Sequence, residues 1–153
     1  MSKCQFNLTN QSGIDVDEAP LRLCAETVCA GECPAPACEV DLLLCADPQM
    51  REFNRLYRGD DSVTDVLCFS APDELAGLVN PEAEALPCDI IIDINQLDRQ
   101  KGPNTLEKEL MEVFIHGLLH AFGYDHIRRQ DQEIMANKEQ YYKQMMEGKQ
   151  HRG

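Results

Sequence analysis

The chain has 153 residues, which suits one domain with a substantial core and is too short for two domains of ordinary size. No apolar run approaches the roughly 20 residues that a membrane-spanning helix needs, and the first residues lack the pattern of a signal peptide, so we expect a cytoplasmic protein. The net charge of −13 argues against a protein that grips nucleic acid with its whole surface, although a local basic cleft remains compatible with it.

The first half of the chain alternates between predicted strands and helices. Residues 4–9 favour a strand, and the apolar spacing predicts a helix from about 18 to 30. Alternating apolar residues predict a largely buried strand at 40–45. Asp47, followed by a proline, is the expected N-cap of a second helix, and Gly59 is its expected end.

The middle of the chain favours two strands separated by a long connection. Residues 63–69 are β-branched and apolar, which predicts a strand. Residues 71–87 carry three prolines and several acids and are expected to form a long exposed loop or flap. The run 89–94 is the clearest strand of the sequence.

Two helices are predicted in the last third. Asn104 and Glu107 resemble a capping box, which would start a helix that runs to about residue 122 and stops at Gly123. A last amphipathic helix covers about 130–147.

These elements together predict a single α+β domain, with a small mixed β-sheet of about four strands flanked by helices. Residues 1–148 would form this domain, and a polar tail would occupy 149–153.

The eight cysteines, at positions 4, 24, 29, 33, 38, 45, 68 and 88, do not by themselves indicate a disulfide scaffold. Without an export signal, we expect the thiols to stay reduced and partly buried. Cys29, Cys33 and Cys38 could form a soft-metal site, but there is no Cys-x-x-Cys pair and two prolines interrupt the stretch, which disfavours it. Cys24 and Cys45 are expected to be small core residues.

A histidine pattern carries the strongest chemical signal: His116-Gly-Leu-Leu-His120-Ala-Phe-Gly123-Tyr-Asp-His126. Residues four apart lie on one face of a helix, so His116 and His120 can converge on one point. Gly123 lets the chain leave the helix in a left-handed conformation and bring back His126 as a third ligand. Three imidazoles with an open fourth position are typical of a catalytic zinc site, and the glycine turn favours this over unrelated core or surface histidines.

The spacing matches the zinc peptidase pattern H-E-x-x-H-x-x-G-x-x-H except at its second position. Gly117 stands where a peptidase keeps the glutamate that takes a proton from the zinc-bound water, so peptide hydrolysis is disfavoured. Glu112, one turn before the first histidine, could face the site. A solvated or salt-bridged helix glutamate is the favoured interpretation of Glu112.

The complete motif resembles the YbeY family of bacterial ribosomal-RNA maturation factors. The resemblance covers residues 40–127 and includes Asn54-Arg-Leu-Tyr-Arg-Gly59, Thr64-Asp-Val-Leu-Cys-Phe69 and the strand start at Asp89. The chain departs from the family at 68–70, which is usually Ser-Phe-Pro, and at residue 88, which is usually glycine. Neither departure touches a histidine of the motif, although both affect the local shape of a cleft.

The resemblance implies a single α+β domain that binds one zinc ion through His116, His120 and His126, with Arg58 as the functional arginine. It also implies an endoribonuclease that cuts single-stranded RNA, matures the 3′ end of the small-subunit ribosomal RNA and takes part in ribosome quality control. The expected partners are therefore single-stranded RNA and the small ribosomal subunit or its factors.

Phosphodiester hydrolysis is chemically consistent with this set of residues. The reaction builds negative charge on phosphoryl oxygens, which a metal ion and the planar guanidinium of Arg58 can stabilise. Either activated water or the 2′-hydroxyl of the RNA could attack. Arg51 and Arg55 make a basic stripe possible, with solvated charges as the equal alternative.

Four further side chains have two open interpretations each. Tyr57 and Tyr124 could stack on bases, but packing in the core or at a rim is favoured. Asp65 and Asp125 could orient an imidazole or serve as ordinary turn or cap residues.

Two rival functions stay open at this stage. One is a metallohydrolase of peptide or amide bonds, and the other is a non-catalytic ribosome assembly factor with structural zinc. Three imidazoles also accept nickel, cobalt or copper, so the identity of the metal is open as well.

Overall fold

The computed structural model describes residues 3–70, 85–124 and 129–152. Four strands form one mixed sheet in the order β1-β2-β4-β3. The first three strands in that order are parallel, and β3 pairs antiparallel with β4 at one edge. The strands are β1 (Lys3–Asn10), β2 (Ala37–Cys45), β3 (Val66–Ser70) and β4 (Leu86–Asp93).

Five helices are present in the described part of the chain: α1 (Glu18–Glu32), α2 (Asp47–Arg58), α3 (Ile94–Gln100), α4 (Leu106–Ala121) and α5 (Arg129–Arg152). Among the described residues, no helix combines the length and apolarity that a bilayer crossing requires. The predicted α+β class and the mixed sheet of four strands are confirmed.

The two faces of the sheet are covered differently. Alternate residues of β2 and β4, such as Val40, Leu42 and Ile90, are buried in the main core together with residues of α1 and α4. A smaller core on the other face contains Met50 of α2 and Ile91 of β4. Period-two alternation therefore gives two apolar faces, and the larger one supports α4.

The caps of two helices differ from the sequence expectation. Ala46, not Asp47, is the N-cap residue of α2, and its N–H donates to Oε1 of Gln49 at 2.8 Å. The carboxylate of Asp47 instead accepts two hydrogen bonds from Arg99, at 2.7 and 2.8 Å, and so ties α2 to α3. The prediction failed because a distant guanidinium competes for the same carboxylate.

Thr105, not Asn104, caps α4: its hydroxyl oxygen accepts from the N–H of Lys108 at 3.2 Å. Both residue types are good N-caps, so the sequence signal was ambiguous by one residue. The expected end of α2 is confirmed, since Gly59 has φ of +68° and follows Arg58, the last helical residue.

After the predicted loop, the bounds of the strands and helices also differ from those that the sequence predicts. Residues 71–84 of that loop lie outside the described residues, but Leu86 and Pro87 belong to β4. Helix α3 was not predicted; Asp93 caps it by accepting from the N–H of Asn95 at 3.0 Å. Helix α5 continues past residue 147 to Arg152, into the segment expected to be a tail.

The expectation that all thiols are reduced is wrong for one pair. Cys29 of α1 and Cys38 of β2 are joined as a disulfide, with their Cα atoms 6.9 Å apart. The sequence could not show it, because the contact depends on how α1 packs on the sheet. Cys24 and Cys45 are fully buried, as expected for small core residues.

Glu32, the last residue of α1, makes hydrogen bonds that connect α1 to the C-terminal part of the chain. Its carboxylate accepts hydrogen bonds from the hydroxyls of Tyr124, at 2.6 Å, and Tyr142, and from Nζ of Lys138 at 3.2 Å. The Glu32 side chain is only 7% exposed. Burial alone would raise its pKa, but these three donors outweigh burial and hold the pKa of Glu32 below its usual value.

We expect Glu32→Gln to lower the free energy of unfolding at pH 7 by about 1–3 kcal/mol, because hydrogen bonds to a buried charge are lost. A lowered folded-state pKa means that the charged form stabilises the fold above the pKa of the unfolded carboxyl, about 4.3, and that this contribution is lost as the pH falls through the folded value. The difference between variant and parent should therefore shrink in acid. Urea unfolding at several pH values measures both effects.

The matched control is Glu18→Gln, which removes an exposed carboxylate from the other end of α1, where it pairs with Arg22. Its cost should be below about 1 kcal/mol. Equal costs for the two variants would contradict the role given to Glu32.

Candidate metal centre

His116 and His120 lie one helical turn apart on α4 and are both half-buried. Their ring centroids are 4.6 Å apart, with the ring planes at 78°. The predicted i, i+4 convergence of these two imidazoles is confirmed by this geometry.

The chain leaves α4 through the glycine, as predicted. Gly123 has φ of +102°, its N–H donates to the carbonyl of His120, and the N–H of Tyr124 donates to the carbonyl of Leu119, both at 3.0 Å. This pair of bonds is a Schellman motif, which requires a left-handed residue at the position of Gly123. The turn therefore directs the chain away from the helix just before the third histidine of the motif.

His126 and Asp125 lie outside the described residues. The assignment of His126 as the third ligand and the possible orienting role of Asp125 therefore stay predictions.

Glu139 of α5 is a residue of this site that the sequence analysis missed. Its Oε1 lies 2.6 Å from Nδ1 of His116. With the Nδ1 proton donated to this carboxylate, Nε2 of His116 is left as the nitrogen that can bind a metal ion. No local pattern could have found Glu139, because it lies 23 residues away on another helix.

These residues fit a bound divalent cation. Two imidazoles share one face of a helix, and a carboxylate that accepts from the other ring nitrogen is the usual support of a metal-binding histidine. Here the carboxylate of Glu139 holds the ring of His116 in one orientation.

Gly117, between the two histidines, faces the sheet. A Cβ atom at this position would lie 3.3 Å from side-chain atoms of Val66, Cys68 and Ile90. These side chains would have to move by a few tenths of an ångström to admit any side chain here, so a glutamate at position 117 would be crowded against the strands beneath α4. Glu112 is paired with Lys143 at 2.9 Å, which confirms the favoured interpretation of it as a salt-bridged helix residue.

Arg58 is exposed at the end of α2 and lies near β3. Burial raises the pKa of the Cys68 thiol to about 12, and the positive charge of Arg58 partly opposes this rise. Cys68 in turn packs under Gly117. Arg58 ends α2, whose apolar residues pack on the sheet face opposite α4, so the described contacts do not bring it together with His116 and His120.

The other arginines of α2 differ from Arg58 in their partners. Arg55 pairs with Glu52 on the same helix, and Arg51 helps lower the pKa of Asp47. Arg58 is exposed and makes no ion pair with another residue of the described ranges. Because Glu52 pairs with Arg55, the arginines of α2 do not form a continuous basic stripe.

Three other candidate side chains have structural partners. Tyr124 donates to Glu32, which supports the favoured packing interpretation, and Asp65 accepts from Gln100 at 3.1 Å. Tyr57 is 62% exposed and stacks on Phe53, with a centroid distance of 6.4 Å. Of the two tyrosines, only Tyr57 presents a ring that RNA bases could reach.

A cleft of about 440 Å³ lies on the sheet face that α2 partly covers, with Tyr57 at its rim. Its floor carries the carboxylates of Asp41 and Asp89, and burial together with Asp41 raises the pKa of Asp89. This cleft is separate from the histidines, and its acidic floor does not suit a phosphate backbone.

Comparison with known proteins gives one consistent family. The family model described as endoribonuclease YbeY matches residues 7–147. The chain is 36% identical over 135 residues to a protein named endoribonuclease YbeY from Pelotomaculum thermopropionicum, an alignment that covers 85% of this chain and 88% of the relative. It is 38% identical over 133 residues to the protein of the same name from Moorella thermoacetica, covering 81% and 84% of the two chains.

The fold comparison agrees. The solution structure of TM1509 from Thermotoga maritima superposes with a TM-score of 0.63 at 26% identity, over 97% of this chain and 91% of that one. The histidine pattern, the mixed sheet and the family match all lead to the same conclusion: this chain belongs to the endoribonuclease YbeY family, whose members hydrolyse phosphodiester bonds of RNA.

Proposed function

We propose that this protein is a zinc-dependent endoribonuclease that cuts single-stranded RNA, matures the 3′ end of the small-subunit ribosomal RNA and takes part in ribosome quality control. The observation that carries the proposal is the contact of Glu139 with Nδ1 of His116, one turn before His120 on α4. This contact prepares an imidazole for a metal ion. In this proposal residues 1–148 are the endoribonuclease domain, and the protein works in the cytoplasm.

His116, His120 and His126 would hold the ion. When bound, a zinc ion acts as a Lewis acid that polarises a phosphoryl oxygen and activates water near neutral pH. Glu139 holds the ring of His116 in one orientation by accepting its Nδ1 proton. Because residue 117 is a glycine packed closely on side chains of the strands, α4 contributes no carboxylate base at that position.

Arg58 would bind the phosphate that is attacked. Its guanidinium is exposed, and Gly59 ends α2 directly after it, so the side chain projects from the helix end. A planar fork of N–H donors fits two phosphoryl oxygens and stabilises the charge that develops on them. Either water or the RNA 2′-hydroxyl can be the nucleophile in this arrangement, and a 2′,3′-cyclic phosphate end would identify the hydroxyl.

The charge of the whole chain suits a selective enzyme. With a net charge of −13, long-range repulsion keeps non-specific RNA binding weak. Affinity must then come from a local contact or from a partner, which supports the small ribosomal subunit or its factors as the place where the enzyme meets its substrate.

Arg58→Ala should reduce cleavage of single-stranded RNA by about 10²–10³-fold, since it removes a donor to the developing charge. Elemental analysis of the same preparation should find one zinc per chain, and a chelator should abolish cleavage. Denaturing gels of a labelled single-stranded RNA, with a duplex of the same sequence beside it, measure the rates.

Arg55→Ala is the matched control for that variant, because Arg55 lies on the same helix and is already paired with Glu52. It should cleave within a few-fold of the parent. A cleavage rate that changes neither with the chelator nor in Arg58→Ala would contradict the assignment of this site.

His116→Ala distinguishes a catalytic ion from a structural one. We expect the variant to keep its far-ultraviolet circular dichroism, because the ring is half-buried at the end of α4, and to lose both metal and cleavage. If His116→Ala unfolds, the ion is at least partly structural. This outcome would instead favour the non-catalytic assembly factor.

Glu139→Gln should weaken zinc binding by about 10–100-fold, the usual cost of losing such a support, while the fold stays intact. Competition with a fluorescent chelator measures the affinity. Glu133→Gln, an exposed change on the same helix, is the control and should leave the affinity unaltered. If saturating zinc restores cleavage to Glu139→Gln but not to His116→Ala, Glu139 acts by positioning the ligand.

A further inference from the structure

A second group of metal-ligating side chains lies outside the histidine centre. The sulfur atoms of Cys4, Cys29 and Cys38 all lie within 4.8 Å of one another. They come from three different elements, β1, α1 and β2, and Cys4 and Cys38 are direct partners in the register of the two parallel strands. The fold thus brings three sulfurs together from separate parts of the sequence, two of them joined as the Cys29–Cys38 disulfide.

Two more cysteines surround this set. Cys33 lies one turn after Cys29, and Cys88 lies on β4. Cys33 is close enough to Cys4 and to Cys88 to influence the pKa values of both thiols. Five of the eight cysteines are therefore concentrated where the first residues of β1, β2 and β4 meet the end of α1.

The electrostatic surroundings favour a cation. The C-terminal end of a helix carries a partial negative charge, and the last turn of α1 contains no basic residue. Arg22 lies near Cys4 and favours its thiolate, while Glu26 and burial raise the pKa of Cys4 to about 11.

We propose that, once a thiol reductant has transferred two electrons and two protons to the Cys29–Cys38 disulfide, the sulfurs of Cys4, Cys29 and Cys38 bind one thiophilic d¹⁰ cation such as Zn²⁺. Each sulfur–metal bond forms as its thiol proton passes to solvent, and no electrons are transferred. The ion and the disulfide compete for the same two sulfurs. The site is independent of the histidine centre, and neither proposal requires the other.

The backbone separation is compatible with this occupant. The Cα atoms of Cys29 and Cys38 are 6.9 Å apart, slightly beyond the usual disulfide range of about 4.4–6.8 Å. Zinc–sulfur bonds of about 2.3 Å place two bound sulfurs roughly 4 Å apart, within the spread of this cluster. An ion would therefore need side-chain rotation and little movement of α1 against β2.

Titration of Cd²⁺ into the full chain, kept reduced and free of oxygen, tests the proposal. Thiolate ligands give cadmium an ultraviolet charge-transfer band that imidazole ligands do not, so the histidine centre is silent in this measurement. We expect a band that saturates at one Cd²⁺ per chain and that Zn²⁺ removes by competition. Cys4→Ala should weaken the binding at least about tenfold.

Cys45→Ala is the matched control, because Cys45 is also buried but lies in the smaller core on the other face of the sheet. It should leave the band unchanged. A band that is absent, or that is equal in Cys4→Ala and the parent, overturns the proposal, as does a Cys29–Cys38 bond that no reductant opens in the folded protein.

A second measurement uses the unaltered chain and does not depend on the folding of a variant. Cys4 is partly exposed, so iodoacetamide can reach it. Zn²⁺ should slow the alkylation of Cys4 at least about tenfold in the reduced protein, as followed by peptide mass spectrometry, because a bound thiolate is not available as a nucleophile. An unchanged rate would overturn the proposal.

Discussion

Helix α4 packs closely on the strands at Gly117, where a side chain would meet Val66, Cys68 and Ile90. This close approach fixes the rotation of α4 about its axis. Residue 117 points into the sheet, so the neighbouring histidines lie toward the edge of the interface and are half-buried. Glycine at this position also leaves α4 without the carboxylate that a zinc peptidase keeps between its two histidines.

The end of α1 determines where α5 lies. Glu32 accepts from Tyr124, just after α4, and from Lys138 and Tyr142 of α5, so one buried carboxylate joins three segments. Glu139 is adjacent in sequence to Lys138, and this anchoring brings its carboxylate to His116. The support of the candidate ligand is therefore a consequence of packing at some distance from the site.

Imidazole nitrogens and cysteine sulfurs, the two kinds of metal-ligating atom in question, lie in different parts of the domain. Two imidazoles, those of His116 and His120, lie together near the end of α4. Sulfur atoms lie together at the start of the parallel strands under α1, where the Cys29–Cys38 disulfide is almost fully buried. Nitrogen donors suit an exchangeable catalytic zinc, while buried sulfur donors suit a closed and structural one.

The sequence alone determined the features that depend on neighbours along the chain. The spacing of His116 and His120, the stop at Gly123, the end of α2 at Gly59 and the α+β class follow from helical and strand periodicity and from glycine at positive φ. Only the tertiary structure decided four other features. These are the cap at Thr105, the bond from Arg99 to Asp47, the partner of His116 and the proximity of Cys4 to Cys29 and Cys38. Each joins side chains that compete for partners across the fold, and a pattern read along one segment holds no information on which distant group wins.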